Sequence, residues 1–232
     1  MEPRVSNGGY RFHLAVNTIA PDHDRPGNLR YLMVALILLA APLAGCADDG
    51  GTNSLQADGD GMLAEDGKAA ADSEADDWAE DARLVEIATI ELGPEAEQPD
   101  QGDLEMNLTT DDTPGDGVAA YWKYTYRDGD DAAMNVFVNA QGDTETSTDV
   151  QTDSDQEVSD WNISSEEAAE KASEDENFTS LLEAEDATVL YGLLGGDEQA
   201  WLLSVESPSQ DEQRRLIVNA ETGEMRPFPG SG

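Results

Sequence analysis

Apolar and polar side chains alternate along several short stretches of the chain. Residues 122–126 ("WKYTY") and 201–205 ("WLLSV") carry large apolar side chains at every second position. Residues 134–138 ("MNVFV") and 214–218 ("RRLIV") show a similar pattern further on. A period of two with one heavy apolar face is typical of a strand that packs one face against a core. These stretches therefore predict antiparallel strands.

Two more strands and a pair of turns complete this pattern. We predict strands at "LEMNLT" (Leu104 to Thr109) and at "ATVLYGLLG" (Ala187 to Gly195) from their apolar and β-branched residues. The phrases "VFVNAQGDTE" and "LIVNAETGEM" each end a strand with Asn, Ala and a nearby glycine. Gly142 and Gly223 can supply the positive φ that a tight hairpin demands.

Two helices are predicted, one before each group of strands. Ser164 followed by Glu167 has the spacing of a capping box, and "EEAAEKA" supplies strong helix formers. The earlier stretch "DDWAEDARLVEIATIELGP" aligns its apolar residues at helical spacing, and Gly93 with Pro94 would end it. The stripe consists of Trp78, Ala82, Val85 and Thr89, with Leu84, Ile87 and Ala88 beside it.

Three landmarks recur at nearly one interval along the sequence. Their separations are 83, 79 and 80 residues for the pairs Trp78 with Trp161, Trp122 with Trp201 and Asn139 with Asn219. Such regular recurrence indicates an internal repeat. We therefore predict an α+β fold of two tandem units, residues 76–150 and 160–230. Each unit is one helix packed on an antiparallel sheet of three or four strands, with tryptophans packing helix against sheet.

The chain begins with the layout of a secretion signal. An apolar run from Tyr31 is too short to span a membrane and ends in small residues before Cys46, the only cysteine. The ending matches a lipoprotein signal, in which a peptidase cleaves after a short motif and the cysteine thiol then carries lipid. We assign residues 1–45 to the leader and signal peptide, Cys46 to lipidation, and the cleavage motif to Leu43, Ala44 and Gly45.

Acidic residues dominate the rest of the chain. Asp and Glu total 51 against 12 Lys and Arg, which gives a net charge of −39. Such a surface repels nucleic acid and anionic lipid. It resembles the surfaces of proteins from salt-loving archaea. Molar salt shortens the Debye length to about 3 Å and so screens the repulsion among the acids. Residues 46–75 are rich in Asp, Gly, Ala and Ser without an apolar period. They predict a flexible acidic linker that follows the lipidated cysteine.

The inventory of reactive side chains argues against most enzyme classes. Both histidines, His13 and His23, precede Cys46 and would be lost on processing. The processed chain would then have no imidazole base and no histidine ligand, so we expect no catalytic residues, no metal site and no cofactor. A pair of carboxylates acting as a hydrolase stays open, because acids are abundant. Glycosylation sequons occur at Asn107, Asn162 and Asn177.

The second unit resembles the PepSY domain. The resemblance covers residues 164–227, and residues 76–145 share it in outline. Ala168, Ala169 and Ala172 match the family's helix, residues 201–205 match its middle strand, and Val218, Ala220, Thr222, Gly223 and Glu224 match its ending. Asn219 stands where the family more often has Asp. The resemblance implies a small cystatin-like α+β fold in extracytoplasmic proteins, proposed to restrain peptidases or bind peptides, without catalytic residues.

These observations together predict a lipoprotein anchored on the extracytoplasmic face of the cell membrane. Its two PepSY-like units would form a non-enzymatic module that binds an extracellular peptide or restrains a peptidase, through a sheet edge or the groove between the units. The bilayer would be contacted through the lipid on Cys46. A structural envelope lipoprotein of a halophile and a carboxylate-pair hydrolase are the alternatives. A groove with clustered apolar side chains would favour binding over the envelope function.

Overall fold

The computed structural model describes residues 61–97, 114–148 and 150–229. Across them the chain has an α+β fold, as the sequence predicts. The helices are α1 (Lys68–Trp78), α2 (Ser165–Ala172) and α3 (Glu176–Leu182). The strands are β1 (Arg83–Leu92), β2 (Tyr121–Arg127), β3 (Ala133–Asn139), β4 (Thr144–Thr148), β5 (Thr188–Leu194), β6 (Ala200–Ser207), β7 (Glu212–Asn219) and β8 (Met225–Pro227).

The described strands form one antiparallel sheet in the order β4-β3-β2-β1-β5-β6-β7-β8. The first four strands lie on one side of the β1–β5 pairing and the last four on the other. The expected sheet of three or four strands is therefore too small. A sheet of that size leaves an unpaired edge at its first strand, and pairing β1 with β5 removes both of those edges.

The strand registers on the two sides of this pairing correspond. Ala88 of β1 pairs with Gly192 of β5, and these two residues also pair outward with Lys123 and Leu202. One strand further out, Trp122 pairs with Val138 and Trp201 pairs with Val218. The pairing pattern is thus the same on both sides of Ala88 and Gly192.

The core lies between the helices and one face of the sheet, where an aromatic cluster spans the central strands. The Trp122 and Trp201 rings meet edge to face with centroids 6.0 Å apart, and Trp122 meets Tyr191 at 6.2 Å. All three side chains are fully buried. Edge-to-face packing of this kind is favourable beyond the burial of apolar area. Trp201 thus has the packing role that the sequence predicts.

The helix predicted across residues 76–92 is wrong. α1 ends at Trp78, Ala79 adopts an extended conformation, and β1 begins at Arg83. The stretch "RLVEIATIEL" is rich in residues that fit a helix stripe, but its β-branched side chains fit a strand buried on both faces equally well. Pairing with two neighbouring strands decides in favour of β1.

The flexible linker predicted for residues 46–75 is too long. Its last part forms most of α1, whose Ala71 and Ala75 are buried in the core, and Met62 and Ala64 are buried before the helix begins. The apolar face of α1 consists of alanines, which are too small to produce a clear apolar period in the sequence. Their small size allows the helix to approach the sheet closely. Residues 46–60 lie outside the described part of the chain.

α2 begins as predicted, and a helix that was not predicted follows it. The Ser164 hydroxyl accepts a hydrogen bond from the Glu167 amide at 3.0 Å, and the Ser164 amide donates to the Glu167 carboxylate at 2.9 Å. α3 then begins at its N-cap Asp175, which accepts two hydrogen bonds from Arg214, at 3.1 and 2.6 Å. The hydrogen bonds from Arg214 hold the pKa of the Asp175 carboxyl below its ordinary value.

Two of the three repeated landmarks occupy corresponding positions: the pair Trp122 and Trp201, described above, and the pair Asn139 and Asn219. Asn139 and Asn219 end β3 and β7, and each side-chain oxygen accepts hydrogen bonds from amides of the following turn. Gly142 and Gly223 in these turns have φ values of 81° and 71°, as predicted. Trp78 and Trp161 do not correspond, because Trp78 ends α1 whereas Trp161 precedes α2.

Several predictions fall outside the described residues. They concern the leader and signal at residues 1–45, Cys46 with Leu43, Ala44 and Gly45, and the strand at 104–109 with its sequon Asn107. In the part of the chain that is described, none of the helices has the length and apolar character needed to cross a bilayer.

Two glycines should respond oppositely to alanine. Gly117 has a φ of 80°, and an added Cβ would collide with the Ser165 carbonyl, so we expect Gly117→Ala to lower the unfolding free energy by about 2 kcal/mol or more. Gly192 lies in β5 with no described atom within 4 Å of an added Cβ, so Gly192→Ala should be neutral or stabilise by about 0.5–1 kcal/mol. Denaturant unfolding measures both, and equal losses would contradict this assignment.

Candidate binding cleft

A cleft of about 340 Å³ lies where the segment before α1 meets the segment before α2. We call it the Trp161 cleft. Its lining residues are Glu65, Lys68, Asp160, Trp161, Asn162 and Ser164. Ligand sites are commonly concave and fall in this size range or above it, so the cleft is large enough for one or two side chains of a ligand.

Backbone hydrogen bonds hold the wall that carries Glu65. Met62 and Ala119 exchange two hydrogen bonds, at 2.9 and 3.0 Å. The Ala64 amide then donates to the Ser165 hydroxyl at 3.2 Å, and that hydroxyl donates to the Gly117 carbonyl at 2.7 Å. Ser165 is the first residue of α2. The segment before α1 is therefore fixed against the start of α2.

The opposite wall is fixed to the end of β7. The amides of Asn162 and Ile163 both donate to the Ala220 carbonyl, at 2.9 and 3.0 Å. The Ile163 carbonyl in turn accepts a hydrogen bond from the Trp201 indole at 2.8 Å. Because both walls are tied to the sheet and to α2, the cleft exists before any ligand arrives.

Glu65 places a desolvated carboxyl in this cleft. Its Oε2 atom is buried and has no hydrogen-bond partner among the described residues. Burial raises the pKa of the Glu65 carboxyl above its ordinary value, and the charges of Asp66 and Glu167 add to the rise. Backbone amides of Glu65 and Ser165 partly offset this increase in pKa. A buried carboxyl oxygen without a donor is costly, so it favours a ligand that brings one.

The remaining lining residues differ in their availability. Lys68 is the basic residue of the lining, and its ammonium is bonded to Asp72 at 2.6 Å. Trp161 is half-buried, whereas Asp160 and Asn162 are exposed. The Ser164 hydroxyl accepts the cap hydrogen bond of α2. The cleft thus offers an acid and an aromatic side chain, and its hydroxyl already has a structural role.

A second buried acid connects to the same region. Glu91 of β1 is fully buried, and its Oε2 atom accepts a hydrogen bond from the Gly115 amide at 2.5 Å. Burial raises the pKa of Glu91 to about 8. Two residues on, the Gly117 amide donates to the Tyr191 hydroxyl at 3.2 Å. The loop that carries Gly115 and Gly117 therefore links the buried acid to the Ser165 hydroxyl at the cleft.

Of the predicted site residues, the structure describes Asn162 and Asn177. Asn162 lies at the cleft and Asn177 lies in the first turn of α3, and both are exposed, as a glycosylation acceptor must be. Nothing in the residue pattern indicated the cleft itself. Glu65 falls in the stretch predicted as a linker, and Trp161 was predicted to pack as the counterpart of Trp78. A tryptophan beside the capping-box serine was the signal in the sequence that could have indicated a surface site.

Neither metals nor relatives identify the site. Within the described ranges, no group of three or more His, Cys, Asp or Glu side chains is placed to hold a metal ion. No family model matches the chain, and no curated protein or solved structure is significantly similar to it. The argument for function therefore starts from the cleft.

Glu91 should make stability depend on pH. Because its pKa rises from 4.5 to about 8 on folding, the native state keeps a proton that the unfolded chain releases. The unfolding free energy should fall as pH rises between these values, by up to about 1.4 kcal/mol per pH unit. Glu91→Gln should remove this loss, so the advantage of the variant should grow with pH across the window and level off above it.

Denaturant titrations at constant high salt, at several pH values, measure this difference. Glu212→Gln, which removes one exposed acid from β7, is the matched control. Parallel pH profiles for the wild type and Glu91→Gln would show that Glu91 is not held protonated by burial.

Proposed function

We propose that the protein is a lipoprotein anchored on the extracytoplasmic membrane face through Cys46, and that two tandem PepSY-like units form a non-enzymatic module that binds an extended peptide. The observation that carries the binding function is the Trp161 cleft. It combines a half-buried tryptophan, a carboxyl oxygen without a partner and walls fixed by backbone hydrogen bonds. A purely structural envelope protein has no need for such a prepared site.

The two-unit organisation is supported by the strand registers. Ala88 pairs with Gly192, and from this pair outward the strands on the two sides pair at corresponding positions. The correspondence extends to the pair of Trp122 with Val138 on one side and of Trp201 with Val218 on the other. A fused duplication accounts for this correspondence, since two copies that pair through equivalent strands are related by a local twofold axis. In this proposal the cleft lies between the segments that precede the helices of the two units.

The PepSY-like assignment is supported in the second unit by the residues of the resemblance. The three spaced alanines of α2, Ala168, Ala169 and Ala172, are buried against the sheet. The Asn219 side chain accepts hydrogen bonds from the amides of Glu221 and Thr222, so it closes the final turn as an aspartate would. The extra helix α3 and the continuous sheet are additions to the simple pattern.

A carboxylate-pair hydrolase is the second candidate. Glu65 and Asp160 line the same cleft, and burial raises the pKa of Glu65, as it does for a general acid. A hydrolase would lose turnover in both Glu65→Gln and Asp160→Asn while still binding its substrate. A binding module would show no turnover in the wild type and altered affinity in the variants.

A photoreactive amino acid at position 162 should capture the peptide partner. Asn162 is exposed and lines the cleft, so an adduct should form there in intact cells. Glu212 is a control that is also exposed, at the far end of β7, roughly 23 Å along the strand from Asn219. Mass spectrometry identifies the adduct. No adduct at position 162, or equal adducts at both positions, would contradict peptide binding at the cleft.

Cys46→Ser should release the protein from the membrane. Without the thiol no lipid can be attached. The apolar run that begins at Tyr31 is shorter than the roughly twenty residues that a membrane-spanning helix needs. Fractionation of the native host should find the wild type in membranes and the variant in the medium. An unmodified Cys46 in the mass spectrum of the membrane-bound wild type would overturn lipidation.

A further inference from the structure

Glu65 has a deficit of hydrogen-bond donors that the described residues do not fill. Its Oε2 atom is buried without a described partner, and the basic residue of the lining, Lys68, is already bonded to Asp72 at 2.6 Å. A ligand that brings N–H donors with positive charge would pair with this oxygen. Charge-assisted hydrogen bonds of that kind are the strongest that a carboxylate makes.

Trp161 supplies the second contact that a cation needs. The indole lines the same cleft as Glu65 and is only half-buried, so part of its ring is open to a ligand. The face of a tryptophan ring attracts cations, and it also packs against the methylene stem of a lysine or arginine side chain. An ammonium or a guanidinium with an alkyl stem would use both the carboxyl and the ring.

The acids around the cleft outnumber Lys68, the basic residue of its lining, and so disfavour an anionic ligand. Asp160 also lines it, and the charges of Asp66 and Glu167 act on Glu65. A carboxylate or phosphate would be repelled by all of them, over and above the net charge of −39. The cleft volume of about 340 Å³ suits one or two side chains and not a folded domain.

We propose that the Trp161 cleft binds the cationic head of a lysine-like or arginine-like group, with Glu65 as the counter-charge and Trp161 as the stacking face. This rests on the proposed function and specifies its ligand as a peptide with an exposed basic side chain. Free polyamines share the same chemistry. The experiment therefore includes both sources of the cation.

Fluorescence of Trp161 can report on binding. Trp122 and Trp201 are fully buried, so Trp78→Phe leaves Trp161 as the partly exposed indole of the described residues. The full-length protein in this background is titrated with a blocked pentapeptide that has a central arginine between glycines and serines. The same peptide with citrulline, which keeps the shape but lacks the charge, is the matched ligand control. Free spermidine is the third ligand.

The arginine peptide should bind at least about tenfold more tightly than the citrulline peptide, since a hydrogen bond to a charged partner is worth that much. Glu65→Gln should remove most of this preference. Trp161→Ala, which lacks the fluorescent reporter and is therefore titrated by calorimetry, should weaken binding of both peptides. Glu212→Gln removes the same charge from an exposed site on β7 and should leave the affinity unchanged. The preference should persist at about 1 M salt, where the Debye length is about 3 Å and only contacts survive screening.

The outcomes separate this inference from the function on which it rests. Equal affinities for the arginine and citrulline peptides overturn cation recognition, even if cross-linking at position 162 captures a peptide. Spermidine binding that depends on Glu65 and exceeds that of the arginine peptide assigns the cleft to a free amine and overturns the peptide function. Should Glu65→Gln fail to fold, the citrulline comparison on the wild-type cleft still decides.

Discussion

The pairing of β1 with β5 is the interaction on which the rest of the structure depends. It joins strands from the two halves of the sequence, and the central residues at this pairing are small, Ala88 and Gly192. Without it each half would end in an unpaired strand that is largely buried in the present structure. With it the two halves share one core, and the fully buried rings of Trp122, Trp201 and Tyr191 pack over the junction. A core shared across this pairing buries more surface than either side could bury alone, and small cores are marginal.

Charge is handled differently inside and outside this core. The chain has 51 acids against 12 basic residues, and the described acids that are buried in the sheet or hold a helix end have specific arrangements. Glu86 is paired with Lys123 at 2.8 Å, and Asp175 is paired with Arg214 at the start of α3. Glu91 lies in the core without a basic partner, and its burial favours the protonated form. Against this background Glu65 is unusual, because it is a partly buried acid that faces a cleft and not a cation.

The sequence predicts those parts of the fold in which local pattern and tertiary environment agree. The β2 and β6 alternations, the turns at Asn139 and Asn219 and the capping box at Ser164 all follow from residue type and spacing. The sequence fails where the two disagree. Residues 83–92 satisfy a helix stripe as well as a strand, and only pairing with β2 and β5 selects the strand. α1 consists largely of alanines and acids, a composition that is typical of a linker. Only packing against the sheet, which buries Ala71 and Ala75, makes this segment part of the fold.

The cleft could not be predicted for the same reason, since one wall comes from the stretch predicted as a linker and the other from the residues just before the capping box. Met62 and Ile163 stand in corresponding places, because each carbonyl accepts the indole hydrogen bond of a tryptophan, Trp122 or Trp201. The tryptophans thus align the two segments. The residues beside those anchors differ, with Glu65 on one wall and Trp161 on the other. The similar hydrogen bonds at the Met62 and Ile163 carbonyls hold both walls of the cleft in place. The side chains next to these carbonyls differ, so the cleft presents two distinct contacts, a carboxyl and an indole.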